Sequence, residues 1–396
     1  MSQAQRIHPG VLALAVTAFA IGIAEFIVVG ILPSIASDFN IPLSRAGGLV
    51  GLYALSLAIG TPVVVLALAR LPRKPVLLAL IAIFLVGNLL SALSTSYTAL
   101  LMGRIITAVA HGSFFAIGAT VCTRLVPEGQ ASRAIALMFA GLTLAIVVGV
   151  PVGSLIGNTL GWRLPFYAVV LLSVTAFIAT ILWVPALPVS AAGNARAQLA
   201  ALTKGPIIAM MSVTVLSFGA SFAAFTFITP ILTTITGFTT KSANLLLLIF
   251  GVATLLGNLI GGRLTASRGW SVSLGGMFAV LLISMVMLAL LLPYKLPMVA
   301  VIFVWGVLAF GISPALQSGM LATAERWSPR SIDFASALNI SAFNLGITLG
   351  ETAGSAMVAH NQMALTPWAG VALVAIAQLP LAWLVRKNSR YSYNQA

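Results

Sequence analysis

The sequence predicts an all-α integral membrane protein of twelve transmembrane helices, arranged as two pseudo-symmetric six-helix bundles. Three observations predict it. The 396 residues are 60% hydrophobic and 7% charged, with a mean hydropathy of +1.11; a soluble domain carries about 25% charged residues. The apolar residues gather into runs of the roughly 20 residues that a helix needs to cross a bilayer. The second half of the chain also repeats landmarks of the first.

Taken in order, the runs place spans at 11–36, 45–68, 75–95, 99–123, 132–157 and 164–185, then at 207–232, 242–262, 271–292, 297–322, 334–358 and 366–385. The connections carry the chain breakers: Pro42, Pro72, Pro127, Gly161, Gly237, Gly269, Pro293 and Pro329. One longer polar stretch, with Pro188, Gly193, Asn194, Arg196, Lys204 and Gly205, divides the spans six and six. The expected organisation is an N-terminal bundle over 1–187, a cytoplasmic linker over 188–206 and a C-terminal bundle over 207–396. The first span is expected to remain as an uncleaved anchor, because its apolar run is too long for a signal peptide and contains Glu25 and Pro33.

A shift of 197 residues brings Gly22 onto Gly219, Pro33 onto Pro230 and Gly60 onto Gly257. A shift of 201 brings Ala136-Leu137 onto Ala337-Leu338, Gly149 onto Gly350 and Gly153 onto Gly354. Parallel repeats of this kind are a transporter architecture, with the binding site at the midplane between them.

The net charge of +14 does not indicate a nucleic-acid partner, because the cations sit in short loops. With the N-terminus inside, the inner segments hold 15 of the 20 Lys and Arg residues. The outer ones hold four: Arg45, Arg163, Lys241 and Lys295. Arg104 is the remaining one, inside the fourth span. The bias toward one side orients both termini to the cytoplasm. Cys122 is the single cysteine, so no intramolecular disulfide forms.

Of six carboxylates, Asp38, Glu128, Glu325 and Asp333 fall in polar connections, whereas Glu25 and Glu351 lie inside apolar runs. An ionisable group at the bilayer centre costs about 3 kcal/mol even on lenient scales, which makes it a functional-site candidate. Burial disfavours the charged form of a carboxyl, so Glu25 is expected to exchange protons; a permanently neutral, hydrogen-bonded Glu is the alternative. Counting residues from the outer span ends at 1.5 Å each puts Glu25 and His111 at a common depth of about 16–18 Å. Arg104 lies one heptad from His111. The expectation is a Glu25–His111 proton site biased by Arg104, with interhelical ties as the alternative for both His111 and Arg104. Glu351 is a secondary candidate, either a second proton or cation group or a residue reaching outer water. Candidate cavity residues are Phe26, Tyr53, Phe115, Thr143, Phe222, Gln317, Asn339 and Asn344. Hydroxyl and amide groups suit a sugar, and aromatic rings suit an apolar drug-like body. Trp183, Trp368 and Trp383 read as interfacial anchors.

Four local patterns carry a family resemblance. Span 1 has Gly22-Ile-Ala-Glu25-Phe26. Span 4 has Gly103-Arg104, then His111-Gly112-Ser-Phe114-Phe115. Span 5 has Gly141, Gly149, Pro151, Gly153 and Gly157. Gly161-Trp162-Arg163 and Pro165-Phe166 follow it. With these the chain resembles the major facilitator superfamily over nearly its whole length. Within it the likeness is to the drug:proton antiporter branch, in particular bacterial sugar (arabinose-type) efflux permeases. The resemblance implies the major facilitator fold and proton-coupled efflux of a small sugar-like or drug-like compound across the inner membrane. It also implies a gating hinge at Gly149, Pro151, Gly153 and Gly157, where ordinary close helix packing is the alternative. The loop after span 2 keeps the basic residues Arg70, Arg73 and Lys74, but Ala69 and Pro72 stand where the family usually has an Asp and a Gly.

The proton gradient is the expected energy source, with no cofactor, no metal and a monomeric carrier. His8, His111 and His360 are far apart, and no phosphate-cradling GKS or GKT loop is present. A membrane-embedded enzyme is therefore disfavoured; an uptake symporter of the same fold is the alternative. The orientation is testable: a reporter active only in the cytoplasm is expected to work when fused after Arg390 or within 188–206. It is expected to be silent when inserted at 39–42 or 293–295, and the reverse pattern refutes the charge argument.

Overall fold

The computed structural model describes residues 8–68, 70–127, 131–187 and 200–393. The first half contributes α1 (Pro9–Asp38), α2 (Leu43–Ala67), α3 (Arg73–Leu93) and α4 (Tyr97–Arg124). Next come α5, which runs through Ala131–Leu144, Ala145–Gly149 and Val150–Leu160, and α6 (Leu164–Trp183). The second half contributes α7 (Gly205–Phe225, Ile228–Pro230 and Ile231–Ile235), α8 (Thr240–Arg268) and α9 (Trp270–Leu291). It closes with α10 (Lys295–Gly311 and Ser313–Trp327), α11 (Ile332–Ala359) and α12 (Thr366–Tyr393). Each expected span coincides with one of these rods. Several rods overrun the apolar runs, α12 by two turns, because a helix does not stop where the hydrocarbon does. Residues 188–199 of the expected linker, Arg6, Glu128 and Arg196 lie outside the described residues, as do the side chains of Arg133, Arg330, Asp333 and Arg390.

Among the described residues, eleven helices are long and apolar enough to cross a membrane by length and composition. Large apolar side chains such as Leu171, Leu182, Leu259, Ile283 and Leu379 are exposed around the rods, as a lipid-facing surface requires. Trp183, Trp368 and Trp383 stand half-exposed near helix ends.

Three rods are interrupted just ahead of a proline. The proline ring displaces the carbonyl four residues earlier and removes a hydrogen bond. Ahead of Pro151, α5 widens into a π-turn over Ala145–Gly149, with the Val150 amide reaching back to the Ala145 carbonyl. Ahead of Pro230, α7 breaks at Thr226 and Phe227. Ahead of Pro314, α10 breaks at Ile312. The sequence reading anticipated the first of these alone.

The chain forms two compact units, Met1–Phe39 with Ile59–Ala192 and Asn40–Ala58 with Gly193–Ala396. Residues 40–58, the first half of α2, thus pack with the later residues, and the packing boundary departs there from a boundary drawn along the sequence. In the first unit, α1 lies on α5. Ile23, Ile27 and Ile31 seat on Gly149, Gly153 and Gly157, and a methyl group at Gly153 would come 2.6 Å from Ile27 Cδ1. In the second unit, α11 lies on α7 more closely still. Gly346, Gly350 and Gly354 face the backbone carbonyls of Val215, Gly219 and Ala223. The repeat extends to further contacts. Gly60 meets the side chain of Val109, and its repeat partner Gly257 meets the backbone of Val307.

The two glycine seams therefore differ in what would have to yield. At Gly153 the obstacle is the end of a flexible isoleucine. At Gly350 it is a carbonyl fixed in a helix. Gly350→Ala is expected to destabilise the carrier by about 1–3 kcal/mol, the usual cost of overpacking, whereas Gly153→Ala costs clearly less. Thermal unfolding of the purified variants in detergent measures both, and equal losses refute the distinction.

Candidate functional site

The α1–α5 seam sets the direction of Glu25. Ile23 and Ile27 point into α5, and Glu25, two positions from each, leaves the helix on another face. Its neighbours Ala24 and Phe26 are buried, while Glu25 is partly exposed. Among the described residues its carboxylate accepts no hydrogen bond.

Arg104 of α4 reaches this point and is 1% exposed. Its guanidinium donates to the Ala24 carbonyl and, at 3.1 Å, to the Glu25 carbonyl. The planar fork of an arginine suits two adjacent acceptors in a way a lysine does not. Gly103, beside it, brings α4 against Gly87 and Ser91 of α3, which fixes the level at which Arg104 leaves its helix. The Arg104 charge acts on the Glu25 carboxyl and on the His111 imidazole alike. Glu25 and His111 form no hydrogen bond to each other, so Arg104 is the group they share. His111 is buried, its ring 5.3 Å from Phe115, which stacks on Phe139 at 5.1 Å.

The remaining first-unit candidates are placed as follows. Phe26 is buried on α1. Thr143 is partly exposed and returns its hydroxyl proton to the Phe139 carbonyl at 3.2 Å. Arg70 is exposed, and Arg73 is buried at the start of α3. Lys74 Nζ donates to the Ile181 carbonyl at 2.8 Å, tying α3 to the C-terminal end of α6 where the helix dipole favours a cation.

In the second unit the cavity candidates divide. Gln317, Asn339 and two hydroxyls close a polar chain across three helices. Thr214 Oγ1 donates to Asn339 Oδ1 at 2.7 Å, Asn339 Nδ2 to Gln317 Oε1 at 2.8 Å, and Gln317 Nε2 to Ser336 Oγ at 2.6 Å. Asn339 is fully buried, and in this conformation the chain serves to tie α7, α10 and α11. Phe222, the repeat partner of Glu25, is buried between Phe218 and Phe225 in an aromatic cluster that continues to Phe250 and Trp305. Asn344 bonds its own helix through Nδ2 to the Ile340 carbonyl at 3.0 Å, while its Oδ1 is buried without a hydrogen-bond partner among the described residues. Tyr53 is buried on α2. Glu351 is 5% exposed, packed against Gly47 and Gly51 of α2, and bonded to Ser355. The expected alternative that it reaches outer water does not describe its position here.

One cluster escaped the sequence reading. Asp38, at the end of α1, accepts from Trp162 Nε1 at 3.0 Å and pairs with Arg163 at 2.9 Å. Arg163 also donates to the Ser94 carbonyl at 2.9 Å and lies 4.2 Å over the Trp162 ring. The Gly161-Trp162-Arg163 pattern was visible, but its carboxylate partner, more than 120 residues earlier, was not.

A model of the Major Facilitator Superfamily matches residues 14–350. The MFS-type transporter YtbD of Bacillus subtilis is 39% identical over 385 residues, covering 96% of this chain and 97% of that protein. The inner membrane transport protein YdhP of Escherichia coli K12 is 34% identical over 384 residues, covering 97% of each. A chloramphenicol resistance protein of Streptomyces lividans is 33% identical over 372 residues, covering 92% and 93%. The fold resembles that of a bacterial homologue of the lysosomal transporter Spinster, with a TM-score of 0.75, 15% identity and coverage of 95% and 96%. It also resembles the human organic anion transporter MFSD10, with a TM-score of 0.71, 14% identity and coverage of 95% and 99%. These relatives are transporters and not enzymes. The chain belongs to the Major Facilitator Superfamily and is a multi-pass membrane transporter of the secondary-carrier kind.

Proposed function

We propose that this carrier exports a small organic compound, sugar-like or drug-like, across the bacterial inner membrane in exchange for protons, by alternating access. The observation that carries the reading is Glu25, a partly exposed carboxylate halfway along a membrane helix, with the Arg104 guanidinium anchored to the backbone beside it. An ionisable carboxyl inside a membrane helix is the kind of group that carries protons through an exchange cycle, and Arg104 fixes the backbone beside it. His111, buried one heptad along α4 from Arg104, feels the same cation. The chloramphenicol resistance protein of Streptomyces lividans, 33% identical, supports the outward direction and an apolar aromatic cargo. In the first unit, Phe26 beside Glu25 and Phe115 beside His111 suit such an apolar aromatic body.

Everted membrane vesicles test the proposal. A proton gradient, acid inside, is expected to drive accumulation of the cargo found by a resistance and transport screen over sugars, nucleosides and antimicrobials. Glu25→Gln is expected to reduce accumulation to the level of vesicles without the carrier while counterflow exchange persists. Accumulation in whole cells but not in everted vesicles indicates uptake instead, and wild-type coupling in Glu25→Gln refutes the proton role.

A further inference from the structure

Within the second unit, residues 40–58 of α2 meet α11 along a seam of matched spacing. Thr348, Glu351 and Ser355 project from α11 at i, i+3 and i+7. Ser44, Gly47 and Gly51 stand at i, i+3 and i+7 on α2, which meets α11 antiparallel. Thr348 Oγ1 lies 3.1 Å from the Gly51 carbonyl, and Ser355 Oγ donates to the Ser44 carbonyl at 3.0 Å. Glu351 lies between them. A methyl group at Gly47 would stand 2.9 Å from its Oε1, and one at Gly51 would overlap its Oε2. The two glycines are what let a carboxyl occupy this seam.

The protons in the seam can be counted. The Ser355 hydroxyl owns one, and the Ser44 carbonyl is an acceptor only. Ser355 Oγ also touches Glu351 Oε1 within hydrogen-bond range. When the serine proton goes to Ser44, the proton in the Ser355–Glu351 contact has to come from the carboxyl. An ionised Glu351 would take the serine proton, leave the link to Ser44 unmade and bring an uncompensated charge against two helix backbones. Among the described side chains, the titratable residues of the packed elements are Arg45 and Tyr53 on α2, His360 just beyond α11, Lys295, Glu325 and Arg326 at the two ends of α10, and Arg386 and Lys387 in the C-terminal part of α12; α7 carries none over 205–235. Arg45 and His360 are exposed, and no charged group among the described residues acts on Glu351, whose polar neighbour is Ser355.

We propose that Glu351 holds a proton in this conformation, and that passing it to water opens the seam between residues 40–58 and α11, making Glu351 a second proton site distinct from Glu25. The O–H bond of the acid breaks, the carboxylate keeps the electron pair, and the proton leaves as hydronium. The Ser355 hydroxyl then turns to the carboxylate, and the tie to Ser44 is lost. The proposal rests on the proton-driven reading above for its place in the cycle, but the response of the seam to pH is measurable without transport.

Spin labels at Leu52 and Leu349, both exposed beside the seam, in a Cys122→Ser carrier held in lipid nanodiscs, report the separation. The ratio of close to separated populations is expected to fall about tenfold per pH unit above its midpoint, as a single linked proton dictates. Glu351→Gln, whose amide can donate to Ser355, is expected to stay close at every pH. Ser355→Ala is expected to be separated even in acid, and it decides the matter should the Gln variant fail to purify. Glu25→Gln is expected to keep the parent response; if it instead transports like wild type while Glu351→Gln still locks the seam, the Glu25 reading fails and this one stands. A parent without pH response, a Glu351→Gln or Ser355→Ala variant that titrates like the parent, or a Glu25→Gln variant that loses the response overturns the proposal.

Discussion

The approach of α1 to α5 is the constraint on which the first unit depends. Three glycines four residues apart remove the side chains from one face of α5, and three isoleucines at the same interval fill the space. Periodicity then does the rest: with Ile23 and Ile27 turned into α5, Glu25 has to leave on a different side. There the guanidinium of Arg104 meets the backbone of α1. A side chain in place of any of these glycines would press on the isoleucine seated there, the contact that sets the rotation of α1.

Arg104 solves a problem of charge in a medium that tolerates little of it. Its two terminal nitrogens each donate to a carbonyl oxygen of α1, which holds the cation in place without consuming the carboxylate. A direct ion pair would have neutralised both groups and left Glu25 unavailable. With the carbonyls as partners, the cation tunes the carboxyl and the imidazole by its field alone. The second unit has Phe222 at the equivalent position, packed among aromatic rings, and Thr214, Asn339, Gln317 and Ser336 on α7, α10 and α11 bond one another. Chemistry and scaffolding are thus divided unequally between two halves of one architecture.

Much of this was legible in the sequence. Twelve apolar runs, the glycine intervals and the repeat shifts are local or periodic signals, and helices obey them. The heptad from Arg104 to His111 placed both on one face. Less legible was anything that depends on which backbone atom a side chain finds. The sequence suggested Arg104 as a bias on a Glu25–His111 pair; that its guanidinium binds the α1 backbone at Ala24 and Glu25 was not readable there. Gln317 and Asn339 read as cavity groups because amides in a membrane are costly, and pairing with each other removes that cost equally well. The packing of residues 40–58 on α11 was hidden because neither Gly47 and Gly51 nor Thr348, Glu351 and Ser355 announces a partner some 300 positions away. The break at Thr226 follows from Pro230, noted as a repeat landmark but not read as a hinge, and the break at Ile312 from Pro314, which the sequence reading did not single out.

The two glycine seams also carry a record of how each half can drift. Where Gly153 faces the tip of Ile27, a larger residue on one helix can be offset by a smaller one on the other, so the pair can exchange bulk over generations. Where Gly350 and Gly354 face carbonyl oxygens, no substitution on the opposite helix makes room, since every residue brings the same carbonyl. Among descendants of this chain, the first seam can therefore be kept by covariation, and the second only by identity.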